Sequence, residues 1–135
     1  MRIAYRKNAR VVREYRLDIG TVQVFDDYMV SVFDEGATLT MERAYQIIGI
    51  SEIHFRDKNF GYISWRKNSY AVDPTIYSNL RGMENLKAFA IVSKKKIDIH
   101  NFKIEKLFYK NTMEFFIEFD NALTWVTRRS GNKRQ

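Results

Sequence analysis

The stretch WRKNSYAVDP, residues 65–74, gathers the side chains best suited to chemistry in this chain. Ser69 places a hydroxyl close to two cations, Arg66 and Lys67, and a few residues ahead of Asp73-Pro74. A phosphate on that hydroxyl would bring roughly −1.5 to −2 charges. The cations, and the free N–H groups of a helix starting near Pro74, would favour it. Arg66, Lys67 and Asn68 would also suit a ready-made anion, such as a nucleotide phosphate or a lipid headgroup. The segment has no glycine-rich phosphate loop, however, and the nearest glycine, Gly61, precedes it. Trp65 and Tyr70 flank the same loop, and aromatic rings beside cations suit a contact surface. A second cluster, Lys94, Lys95 and Lys96, follows an apolar run and reaches the same sheet end if the two strands are parallel.

Other reactive groups are sparse. His54 and His100 are the only histidines, and neither has a second ligand at metal-binding spacing. The carboxylate pairs Asp26-Asp27 and Asp34-Glu35 read as turn chemistry, and Glu114 and Glu118 as the polar side of a strand. There is no cysteine, which excludes disulfides and thiol catalysis. No nucleophile–base pair can be named. The expectation is a non-catalytic protein without a cofactor or metal.

The chain has 135 residues, enough for one domain with a real core. At 45% hydrophobic and 15% aromatic, it is not a disordered composition. Its apolar runs are far shorter than the roughly 20 residues of a bilayer span, and the basic N-terminus lacks an apolar signal core. A cytoplasmic location is therefore expected. The net charge of +7 sits at the two ends: residues 1–19 and 128–135 each carry +4, and residues 20–127 carry −1. Nucleic-acid binding usually spreads cations over one structured face, so this distribution disfavours it and reads as solvated tails. The domain is expected over 20–127, after a basic segment 1–19 with room for an added strand and before a basic tail 128–135.

The elements that must position these groups follow from periodicity. VVREYRL (11–17) and TVQVFDDYMVSVF (21–33) predict strands, with Asp26-Asp27 as a turn. TLTMERAYQIIGISEIHFR (38–56) predicts a helix capped by Thr38 or Thr40, with Met41, Ala44, Tyr45, Ile48 and Phe55 inward. Gly49, costing about 1 kcal/mol inside a helix, marks a stop or bend. FGYIS (60–64) is a short strand, and Asp73-Pro74 starts a helix carrying Ile76, Tyr77, Leu80 and Met83. LKAFAIVS (86–93) reads as a strand covered on both faces. Asp98 would cap a third helix running to about Tyr109, with Ile104, Leu107 and Phe108 inward. MEFFIEF (113–119) is the last strand, and Asp120 opens a helix carrying Ala122, Leu123 and Val126. This order predicts an α/β fold with a largely parallel sheet and an initial antiparallel hairpin.

FDEGATLTMERAYQII, FGYISWRKNSYAVDP, LKAFAIVSKK and FFIEFDNALTWV together resemble the small STAS-like proteins of Bacteroidetes. These are related in fold to the SpoIIAA-type anti-sigma-factor antagonists and to CRAL-TRIO domains. The resemblance covers about residues 20–127. It implies a SpoIIAA/STAS-like mixed sheet of four or five strands with an N-terminal β-hairpin and about four helices. It also implies regulation through a protein partner or ligand sensing rather than catalysis. In the STAS regulators a serine or threonine after the third strand is phosphorylated; the counterpart here is Ser69, with Ser64 the alternative. Those regulators carry an Asp-Ser pair at the helix start, whereas this chain has Asn68-Ser69 well ahead of Pro74. The reading from residues and resemblance is a regulatory interaction module with its working surface on loop 65–73 beside Lys94–Lys96. A small-ligand carrier or sensor, for a lipid or nucleotide, is the alternative, and an open edge strand would allow two copies to pair.

Overall fold

The computed structural model describes residues 11–130. These residues open with an antiparallel meander of β1 (Arg13–Leu17), β2 (Gly20–Val24) and β3 (Tyr28–Phe33). Gly20 sits at φ 147°, where a side chain would run into the Val32 carbonyl, so the β1–β2 turn needs glycine. After β3 the chain makes three parallel steps, through β5 (Phe60–Trp65), β7 (Leu86–Val92) and β8 (Met113–Phe116). The sheet order is β1-β2-β3-β5-β7-β8. Among the described residues the sheet therefore has six strands, with β1 and β8 at its edges, rather than the four or five expected.

Each parallel step moves to the next strand in the same direction. Right-handed crossovers then put all their helices on one face. The connecting helices α1 (Met41–Phe55), α2 (Ile76–Leu80) and α3 (Lys96–Tyr109) accordingly share one core with Met29, Phe60, Tyr62 and Phe89. The C-terminal helix α4 (Phe119–Ser130) covers the opposite face, packing Ala122, Leu123 and Val126 on Val30, Ile63, Ala88 and Ala90. The parallel strand order never reverses, so the fold lacks the crevice that a reversal opens at strand ends.

The structure also corrects the reading of several elements: α3 begins at Lys96, ahead of Asp98, and β8 ends at Phe116, with Phe119 already in α4. Thr38–Leu39 is not helical: it forms β4, which pairs in parallel with β6 (Ala71–Val72) as a separate two-stranded ribbon. Helix α1 starts after Thr40, whose hydroxyl accepts the Arg43 N–H, and it runs straight through Gly49. Its buried stripe is Ala44, Ile47, Ile50, Ser51 and Phe55, which leaves Tyr45 60% exposed. Finally, α3 is turned so that Asp98, Glu105 and Tyr109 face the core while Ile104, Leu107 and Phe108 face solvent. The basic ends are only partly covered by these residues. Arg128 and Arg129 belong to α4, whereas Lys133 and Arg134 lie outside the described residues.

Candidate functional site

Side chains alternate along a strand, so Tyr62 and Ser64 of β5 point to the three-helix face, and Arg66 keeps that parity one residue beyond. Arg66 is only 5% exposed. Its guanidinium makes a two-pronged pair with Glu105, Nη1 to Oε2 at 3.0 Å and Nη2 to Oε1 at 2.8 Å, while Nε donates to Ser64 Oγ at 3.2 Å. The Tyr77 hydroxyl donates to the same Glu105 Oε1 at 2.7 Å. Ser64 Oγ and the Tyr70 hydroxyl lie 2.7 Å apart, and the Tyr62 hydroxyl donates to Ser31 Oγ at 2.6 Å. Among the described residues no buried side-chain nitrogen or oxygen lacks a partner. The network is thus the arrangement a buried ion pair requires, since an unpaired charge there costs several kcal/mol.

Burial works against the Arg66 charge, but the phenol oxygens of Tyr70 and Tyr77 and the Glu105 carboxylate outweigh it, and the guanidinium pKa is held well above its ordinary value. Burial, followed by the Glu105 carboxylate, pushes the Tyr77 phenol well above its usual range. Burial and the neighbouring Tyr70 push Tyr62 up as well. Both phenols therefore remain protonated donors at neutral pH.

Beside this network α1 and α2 leave a cleft over the sheet. It has a volume of about 50 Å³ and is lined mainly by apolar side chains, among them Met29, Ala44, Ile47, Ile76, Leu80 and Phe89. Ser64, Arg66, Tyr70 and Tyr77 also reach its wall, but their polar atoms are turned into their own hydrogen bonds. Asn79 Nδ2, from α2, donates to Met41 Sδ of α1 at 3.2 Å, a polar contact between the two helices that border the cleft.

The residues singled out from sequence are brought to one end of the sheet, as the parallel pairing Trp65↔Val92 requires. They do not form one surface. Arg66 points inward, which corrects its expected place on an outer cationic rim: Glu105 already neutralises it. Ser69 is exposed, but its N–H donates to Glu35 Oε1 at 2.9 Å, so a carboxylate stands beside it. Its carbonyl accepts the Gly36 N–H at 2.7 Å, and the ribbon strand β6 separates it from α2. Neither the helix N-terminus nor the Arg66 partner expected for a phosphate at Ser69 is present. Asn68 Nδ2 donates to the Phe33 carbonyl at 2.9 Å and ties the loop to β3. Lys95 Nζ donates to the Lys67 carbonyl at 3.0 Å. Lys67 is exposed, with its ammonium 4.1 Å from the Trp65 ring centre, and Lys94 and Lys96 are exposed too. Trp65 is half-buried against Phe119, and Tyr70 against Phe33, so the expected contact anchors serve the two cores.

His54 accepts or donates to the Tyr15 hydroxyl at 2.8 Å and links α1 to β1. His100 is exposed on α3. Among the described residues, no group of three or more histidines, aspartates or glutamates is placed to hold a metal ion. Glu105 and Tyr77 were missed as site residues. The period-two spacing of Tyr62, Ser64 and Arg66 signalled a polar row on one face, and Asp98, Phe102, Glu105 and Tyr109 share a helical stripe that could answer it.

Comparison with protein-family models, with curated proteins and with solved structures finds no match. The STAS-like resemblance accordingly rests on the residues quoted for it.

Proposed function

We propose that the protein is a small-ligand-binding module, of the STAS-like class its motifs resemble, that takes an apolar group into the cleft between α1 and α2. The observation that carries this reading is the apolar cavity beside a fully satisfied polar network. A cavity needs about 10–15 Å³ of such volume per water, and water also needs polar partners. The cleft has room for a few heavy atoms but turns few free polar atoms toward them. It therefore suits the end of an alkyl chain or the edge of a ring, with the remainder of the ligand outside. Binding rather than catalysis fits the same network, because Ser64, Tyr62 and Tyr77 are each engaged with a neighbour and both phenols are held protonated by burial.

Benzene and hexanoate are suitable probes, followed by NMR shifts of the Ile47, Ile48 and Ile76 methyl groups. Saturable shifts are expected in the native protein and their loss in Ala44→Phe. Because Ala44 is buried, Ile48→Trp, at a half-exposed position on the same wall, provides a milder block. Absence of saturable shifts in the native protein, or identical shifts in a folded blocking variant, would reject the reading.

A further inference from the structure

Helix α3 carries its charges the wrong way round for a surface helix. Its two carboxylates are buried: Asp98 accepts the Ser93 hydroxyl at 2.5 Å, and Glu105 pairs with Arg66. The outer side is left with Lys96, Lys103 and Lys106, all exposed, and with Lys94 and Lys110 exposed just beyond the two ends. Between them lie Ile97, Ile104, Leu107 and Phe108, all exposed, with Leu107 at 70%. At 100° per residue, Ile97, Ile104 and Phe108 form one band and Lys96, Lys103 and Lys106 a second, with Leu107 between the two and the exposed Ile99 among the lysines. No exposed carboxylate on α3 offsets these cations. Lys94, ahead of the helix, makes an exposed ion pair with Glu118 at 3.9 Å.

From this charge and apolar pattern we infer that α3 docks the protein on an anionic lipid surface. An outward apolar band with a row of lysines along one side is what an interfacial helix presents. The apolar side chains enter the headgroup boundary, and the lysine stems lie along it with their ammonium groups among the lipid phosphates. A second copy of the chain is a poorer occupant, because pairing α3 with itself would bring like-charged lysines together. A protein partner would have to supply an acidic surface with apolar positions to match. No helix of the described residues is long and apolar enough to cross a membrane, so the docking is peripheral.

The test is co-sedimentation of the full chain with vesicles of phosphatidylcholine alone and of phosphatidylcholine with phosphatidylglycerol. Binding only to the anionic vesicles, weakened by salt, is expected. Lys103→Gln with Lys106→Gln should lower the partition about thirtyfold, from the usual contribution per lysine near an anionic surface. Leu107→Ser, at an exposed position that leaves the core intact, should lower it about tenfold. Comparing variants reads α3 itself, whatever the basic termini add. Absence of binding, or equal binding by native protein and variants, overturns the inference. A lipid-free dimer that Leu107→Ser dissolves would assign the band to a second copy and overturn it too.

Discussion

The two faces of the sheet are packed differently where the helices cross the central strands. Against α4 the strands present Gly61, Ala88 and Ala90, and the helix answers with Ala122 and Val126. Small side chains let the backbones approach closely there, and the rings of this layer pair beside them, Phe25 on Tyr28, Trp65 on Phe119 and Phe116 on Trp125. A Cβ at Gly61 would strike Val126 Cγ1 and come within 3.1 Å of Ser130 Oγ. The other face is built from large rings: Phe55 stacks on Phe60 at 4.8 Å, and Phe89 meets Tyr62, Tyr77 and Tyr109 edge-on or tilted. Rigid rings hold the helices farther off, and the space they leave accommodates both the Arg66–Glu105 pair and the cleft. A closely packed face has no room for a ligand, so the aromatic face is where a binding site can arise.

The largest test of this contrast removes half of the ion pair. Glu105→Ala leaves Arg66 buried and unpaired and should cost about 3–5 kcal/mol, read as a fall in the urea midpoint. Arg66→Met combined with Glu105→Leu should recover most of that loss, since a shape-filling apolar pair restores the packing without the charge. If the single variant proved as stable as the native chain, the aromatic face would not depend on its polar network.

The α4 face should instead fail by overpacking. Gly61→Ala is expected to cost about 1–3 kcal/mol, because the new methyl group has to displace a fully buried Val126. Gly49 on α1 sharpens the comparison. A Cβ there meets nothing within 4 Å, so Gly49→Ala should stabilise by up to about 1 kcal/mol through helix propensity alone. Opposite shifts of the denaturation midpoint from two glycine-to-alanine changes, the loss at Gly61 the larger, would separate the tight position from the open one.

The smallest effect is one of pH. Burial and then the nearby Arg13 lower the His54 pKa from its ordinary 6.5. The folded protein therefore binds the proton less tightly than the unfolded chain, and stability rises with pH through that window. Acidification below 6.5 should progressively weaken the link from α1 to Tyr15 on β1. A slight fall of the melting temperature at mildly acid pH, absent in His54→Gln, is the expected outcome.

Much of the scaffold was legible because burial leaves a period in the sequence. LKAFAIV, apolar almost throughout, is the strand covered on both faces, and Ala122, Leu123 and Val126 do face the core. The β4–β6 ribbon was not legible, since two residues per strand carry no period, and Thr38 also reads as a helix cap. The α3 face was misread for a different reason. Ile104, Leu107 and Phe108 form a regular apolar stripe, and so does the competing row of Asp98, Phe102, Glu105 and Tyr109, except that two of its members are acids. Hydrophobicity alone favours the first. The preference reverses only when Arg66 and Ser93 stand opposite the two acids; Ser93 comes just ahead of the helix, but Arg66 lies 39 residues from Glu105 in the chain.

The sequence by itself determined the α/β class, the parallel order of the later strands and the juxtaposition of residues 65–70 with Lys94–Lys96. Each of these follows from local periodicity and from the handedness of crossovers. Tertiary structure alone decided that Arg66 faces inward, that Ser69 stands beside Glu35, that α1 and α2 part over a cleft and that α3 turns its lysines and leucine to solvent. These depend on which side chains meet across the sheet, and the free energy of burying a charge is settled by its partner rather than by its own position in the chain.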